Sequence, residues 1–257
     1  MRLHRNPELE RRIQERMETR LSARWERTLR SDLRGAASDA ASAYEASGMI
    51  EPAIRAHDEV VDRVLRSMYE SAFVMTADRV GRQFDDALGK SFWSMEMKNA
   101  TERYAEALDK FIRKWVGTKV VQISSTTVDM LQRVIQNGIE EGMGADAIAR
   151  QIRQKGAEFS AYRAHAIART EVHASSQFGS MAAAQDAGED IFKHWVPVDD
   201  GRTRTLDNSD FDHANVEPVP VNRPFIVSGE EMMHPGDPAG SAGNVILCRC
   251  AMTYEVR

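Results

Sequence analysis

Asn244-Val245-Ile246-Leu247-Cys248-Arg249-Cys250-Ala251 is an apolar, β-branched run with a Cys-x-Cys at its centre. Its composition predicts a strand, extended over residues 245–256. On such a strand Cys248 and Cys250 project from one face with Ile246 and Met252, and Arg249 projects from the other. A β unit of this size buries too little to stand alone, so it should pack on a helix. The helix available is the periodic stretch 160–187, with Ser160 as its cap and Gly188 as its stop.

Between them the pattern is broken. Ile191-Phe192-Lys193-His194-Trp195-Val196 reads as a strand, and Pro224-Phe225-Ile226-Val227-Ser228-Gly229 as another. Six of the eight prolines fall between Pro197 and Pro238, with turns at 199–201 and 236–238.

Upstream everything is helical. Residues 8–46 form one predicted helix, in which Leu9, Ile13, Met17, Leu21, Trp25, Leu29 and Leu33 recur every four residues. A period of four slips about 40° per step around a 3.6-residue helix, so the stripe winds. Such a stripe reads as an assembly surface, with Trp25 and Leu29 as partner-binding residues. Ten arginines lie among residues 1–34 against six acids, which fits either a solvated face or contact with DNA or an acidic partner. Further helices are predicted over 52–88, 91–116, 127–141 and 145–155, with Val120-Val121-Gln122-Ile123 as an extended link. Phe92, Trp93, Met95, Tyr104, Leu108, Phe111 and Trp115 read as core. The fold class is α+β: a mostly helical N-terminal region, 1–124, then a helix-plus-sheet domain, 125–257, which is β-rich from 190.

The formal net charge of −5 argues against bulk adsorption to nucleic acid. No apolar run approaches the roughly 18 residues of a membrane span. The N-terminus runs straight into charge, so the expected setting is the cytoplasm, or a particle built there. The two cysteines form no disulfide framework. They are expected to be reduced, inward-facing and metal-free, with no cofactor.

Several side chains invite a chemical reading. On the 160–187 helix, Ala164, Ile167, Ala174, Phe178, Met181 and Gln185 share one side. Glu171 falls within it, while Arg169 and His173 point away. A buried carboxylate needs a cation or several donors; Arg202, Arg204, His213 and Arg249 are the candidates. The pair is either a structural tie or a catalytic acid–base site. Cys248 and Cys250 with His213 and His234 would make a Cys2His2 zinc set, the alternative to buried thiols or thiolate catalysis. Asp199, Asp200, Asp207, Asp210 and Asp212 form an acidic loop without EF-hand alternation. No phosphate loop, His-Glu-x2-His or Gly-x-Ser-x-Gly occurs.

One ordered set of these residues resembles the phage Mu F-like family of minor head proteins. It comprises Arg169-Thr170-Glu171, Trp195, Asp200 with Arg202 and Arg204, Phe225, Pro235-Gly236-Asp237 and Cys248-Arg249-Cys250, covering about residues 125–257. In that family a His follows the Arg-Thr-Arg by a few residues; here His213 stands nine past Arg204. The resemblance implies a non-enzymatic head-morphogenesis protein of a tailed phage or prophage. It would sit in the virion at the portal vertex, with the portal protein, other head proteins and packaged DNA as partners and no membrane. The alternative is a nucleic-acid- or nucleotide-processing enzyme using Glu171, an arginine and His213.

Overall fold

The computed structural model describes Leu3 and residues 6–89, 100–188 and 190–257. Its elements are α1 (Pro7–Ser47), α2 (Glu51–Ala87), α3 (Ala100–Arg103), α4 (Ala105–Glu140), α5 (Ala145–Ala187), β1 (Ile191–Val196), β2 (Val219–Pro220), β3 (Phe225–Val227), β4 (Glu230–Met232), α6 (Ala242–Val245) and β5 (Ala251–Val256). The described residues are mostly helical, with a small C-terminal antiparallel sheet, an α+β fold.

Helices α1 and α2 match their predicted spans within a residue. Phe92, Trp93 and Met95 lie outside the described residues. The extended link at 120–123 is instead a turn of α4. Burial overrides its β-branched character: Val116, Val120, Ile123, Thr127 and Leu131 are buried at helical spacing, and Val121 is exposed. Ser124 and Thr127 both meet the buried His57, at 3.2 and 3.3 Å. Helix α5 runs unbroken through residue 160, so no separate helix begins there.

The chain divides into two compact units, each assembled from separated segments. One comprises residues 23–68 and 111–168. Its helices enclose Ala41, Tyr44, Leu131, Ile148, Ala149 and Ile152. Trp25, Leu29 and Leu33 are also buried within it, at 9%, 1% and 4% exposure. This corrects the expectation that the whole winding stripe is an outward surface: its C-terminal half is core.

The other unit comprises residues 1–22, 69–110 and 169–257 and holds the sheet. Strand β1 lies between β2 and β5, antiparallel to both, with Lys193 opposite Tyr254 and Trp195 opposite Met252. Strands β3 and β4 form a hairpin. Its turn is Ser228-Gly229, both with positive φ, 49° and 85°. This is the primed turn that suits the twist of paired strands, and it ends the predicted 224–229 strand early. Helix α5 meets α2 through small residues. Ser175 Oγ donates to the Tyr69 carbonyl at 2.7 Å, and a Cβ on Gly179 would lie 2.5 Å from the Phe73 carbonyl oxygen.

In this unit α1 is turned inside out. Glu10, Arg11 and Gln14 are buried, while Leu9 and Ile13 are 55% and 39% exposed. Glu10 pairs with Arg79, and Glu18 accepts hydrogen bonds from Gln177 and His173. The polar side of the helix is the packed side because its partners are themselves polar and charged.

Candidate functional site

The Cys-x-Cys is not on a strand. Residues Ala242–Val245 form α6, Leu247 takes a left-handed φ of 56°, and β5 begins only at Ala251. A left-handed non-glycine residue is strained by about 1–2 kcal/mol and persists only where its surroundings hold it. Here they do. The Leu247 N–H donates to Thr170 Oγ1 at 3.1 Å, and Arg204 donates to the Ile246 carbonyl at 2.5 Å. Arg249 binds Asp200 through two hydrogen bonds, 2.6 and 2.9 Å.

The reversal carries both sulfurs to one imidazole. His213 Nδ1 lies 3.7 Å from Cys248 Sγ and 3.5 Å from Cys250 Sγ. All three residues are buried, and no disulfide joins the thiols. The nine-residue gap after Arg204 closes on itself, because the His213 N–H donates to the Arg204 carbonyl at 2.9 Å. The Trp195 ring stands edge-on to His213 at 5.3 Å and to Phe225 at 5.4 Å, fixing the imidazole plane.

The tautomer follows from the partners. Asn244 Nδ2 donates to the Val227 carbonyl and to Glu230, so its Oδ1 faces His213 Nε2 at 2.6 Å. Nε2 therefore carries the proton, and the Nδ1 lone pair faces the sulfurs.

A second histidine approaches from α5. His173 Nδ1 donates to Glu18 Oε2 at 2.8 Å. Its Nε2 has no hydrogen-bond partner of good geometry among the described residues. His173 and Cys248 together line a cavity of about 20 Å³, with Glu15, Glu18, Arg169 and Arg249 around it. The hydrogen bond from Cys250 holds Cys248 well below the usual thiol range against its burial, and His173 adds to the lowering. The same bond, with burial, pushes Cys250 up. Burial works against a charged His173, yet Glu18 and Cys248 push it up to about 10.

Glu171 is buried, as the helical wheel implies, and accepts a 2.6 Å hydrogen bond from the Tyr69 hydroxyl of α2. The four groups considered as its cation lie in other pairs. Arg202 and Arg249 meet Asp200, Arg204 meets the Ile246 carbonyl, and His213 meets Asn244. His234 stands apart from the thiols. It donates to the Pro235 carbonyl at 3.0 Å and packs edge-on to Phe178. Asp237 ties the following turn, accepting from the Met233 and Ala239 N–H groups.

The three-residue set that can hold a metal among the described residues is His213, Cys248 and Cys250. Sequence reasoning missed His173, Glu18, Asn244 and Tyr69. A single apolar stripe turned His173 outward, whereas α5 is buried continuously from Thr170 to Gln177. Glu18 lies 155 residues away, and no local pattern connects it.

Residues 129–253 match the model of the family described as Phage Mu protein F like protein. No curated protein and no solved structure matches the chain. No helix among the described residues is long and apolar enough to cross a membrane. The residues that build the thiol–imidazole cluster and its supports on α5, the 200–213 loop and the 245–250 loop all fall within the matched stretch, and that match supports the resemblance of this part of the chain to the phage Mu F-like family.

Proposed function

We propose that this chain is a structural minor head protein of a tailed phage or prophage, built into the virion at the portal vertex after assembly in the host cytoplasm. The family match over residues 129–253 carries the reading. The region 1–124 supplies the contacts to the portal and other head proteins, and 125–257 is the head-morphogenesis domain. Two features of α1 support its role as a contact surface. Leu9 and Ile13 expose apolar surface one helical turn apart, the spacing of a helix-in-groove anchor. Arg16, Arg20, Arg24, Arg27 and Arg34 are also exposed, available to an acidic portal surface or to packaged DNA. The family motif residues act as structural supports. Arg169, Thr170, Trp195, Asp200 and Arg204 surround the Cys248–Cys250 loop, Gly236 packs against His173, and Glu171 locks α5 to α2. An enzymatic reading would need Glu171 and His213 to act together, and their hydrogen-bond partners are different groups.

The test is a pull-down of the full chain against the portal protein of the same phage genome, over a salt series. Capture that tolerates salt and is lost in a Leu9→Ser/Ile13→Ser variant supports portal docking. Binding to DNA that collapses with salt points to phosphate contacts. Normal head incorporation of the double variant overturns the docking site. Deleting residues 1–34 would be a poor test, because Glu10 and Glu18 are part of the packed unit.

A further inference from the structure

We infer that Cys248, Cys250, His213 and His173 bind one structural zinc ion, through both Sγ atoms, His213 Nδ1 and His173 Nε2. With zinc–sulfur bonds of about 2.3 Å and zinc–nitrogen bonds of about 2.05 Å, each sulfur–nitrogen edge of a tetrahedron is about 3.6 Å. The two observed edges are 3.7 and 3.5 Å. Three of the donors, His213, Cys248 and Cys250, already lie within 4.8 Å of one another, and His173, which lines the same cavity as Cys248, would close on them to complete the tetrahedron.

The chemistry of each donor agrees. The bond from His213 Nε2 to Asn244 leaves Nδ1 as a bare lone pair aimed at the sulfurs. His173 gives its Nδ1 proton to Glu18 and keeps Nε2 without a hydrogen-bond acceptor beside Cys248. A metal-bound histidine commonly donates its other N–H to a carboxylate or an amide or backbone carbonyl, and both histidines do so here. An orphaned nitrogen in a buried site otherwise costs about 1–3 kcal/mol, and coordination would satisfy it. Arg249, between the cysteines, points its guanidinium at Asp200, whose carboxylate offsets its charge. Two thiolates and two imidazoles select zinc over hard cations.

The Cys–His–Asn order is also that of a thiol nucleophile. Burial decides against it: Cys248 and Cys250 are 2% and 4% exposed. The adjoining cavity of about 20 Å³ holds a water-sized group, not a substrate. Two sulfurs on one imidazole suit a metal, whereas a nucleophile needs one. The ion would tie α5, the 204–213 loop and the 246–250 loop in a region whose β2, β3 and β4 have only two or three residues each. Such short pieces gain stability from a metal when their own core is small.

The experiment uses the full chain, purified without added metal and then equilibrated with zinc or cobalt(II). Elemental analysis should give one zinc per chain. The cobalt form should show a thiolate-to-cobalt charge-transfer band with the visible bands of a tetrahedral centre. Cys248→Ser, Cys250→Ser, His213→Asn and His173→Asn should each lose or reshape that spectrum, and His234→Asn should keep it. Glu18→Gln should weaken zinc binding about 10–100-fold. If the variants do not fold, titrating the parent with a mercurial should release one zinc as its only two cysteines react. A parent that stays metal-free after equilibration, or a metal retained in the two serine variants, overturns the site. An unchanged spectrum in His173→Asn removes His173 from the ligand set. Rapid alkylation of one cysteine in the metal-free parent would favour the nucleophile.

Discussion

Gly236 leaves its side-chain space to the imidazole of His173. A Cβ at residue 236 would lie 2.7 Å from His173 Cδ2 and 3.4 Å from Nε2. The backbone there has a φ of 72°, which suits glycine. Gly236→Ala should therefore cost about 2–4 kcal/mol, combining left-handed strain with overpacking. Thermal melting should show a fall of several degrees. An unchanged Tm would mean that the 234–238 turn is not packed on α5.

Glu171 and Tyr69 join α5 to α2 through a buried 2.6 Å hydrogen bond. Burial, reinforced by the Glu171 carboxylate, pushes the Tyr69 hydroxyl well above its usual range, so it stays a donor. Tyr69→Phe should destabilise by about 1–3 kcal/mol. In a double-mutant cycle with Glu171→Gln the coupling should lie within about 0.5–3 kcal/mol. Additive effects in urea unfolding would refute the link.

Gly179 sets how closely α5 approaches α2. Its added Cβ would meet Phe73 backbone at 2.5–3.2 Å, and backbone cannot rotate away. Gly179→Ala should destabilise by about 1–3 kcal/mol although alanine is the better helix former. A stabilised variant would show that the helices have room to part.

Lys193 lies on the buried side of β1 between Ile191 and Trp195. It donates to the Met233 carbonyl at 2.6 Å and rests over the Phe225 ring. Burial lowers its pKa to about 7, with Asp237 opposing that shift. His234 lies near enough for the Lys193 charge to lower it further, and Tyr254 pairs with Lys193 across the ladder. Below pH 7 both the folded and unfolded states hold the proton, and the folded state bears the full cost of the buried ammonium. Between about 7 and 10.5 the unfolded chain holds more protons, so stability should rise with pH. The gain should be on the order of a few kcal/mol and absent in Lys193→Met. Parallel pH profiles of parent and variant in chemical denaturation would sink this assignment.

Much was legible in the sequence. The long helices α1 and α2 follow from apolar periodicity and from stops at Gly48 and Gly89, both with positive φ. Strand β1 follows from its β-branched and aromatic run, and the ordered Arg-Thr-Glu, Trp, Pro-Gly-Asp and Cys-x-Cys set carries the resemblance to the matched family. These signals are local, within one turn or one strand. Tertiary structure decided the rest. Residues 120–123 became helix because Ser124 and Thr127 found His57, and residues 244–250 left the strand because Thr170 and Arg204 hold a left-handed Leu247. Trp25 and Leu29 went to a core, while Leu9 and Ile13 on the same stripe stayed in solvent. Glu18 reached His173 across 155 residues. A helical wheel ranks faces by apolarity alone; the side that packs depends on which polar partners the other segments bring. Those partners come from remote segments, and no window along the chain contains them.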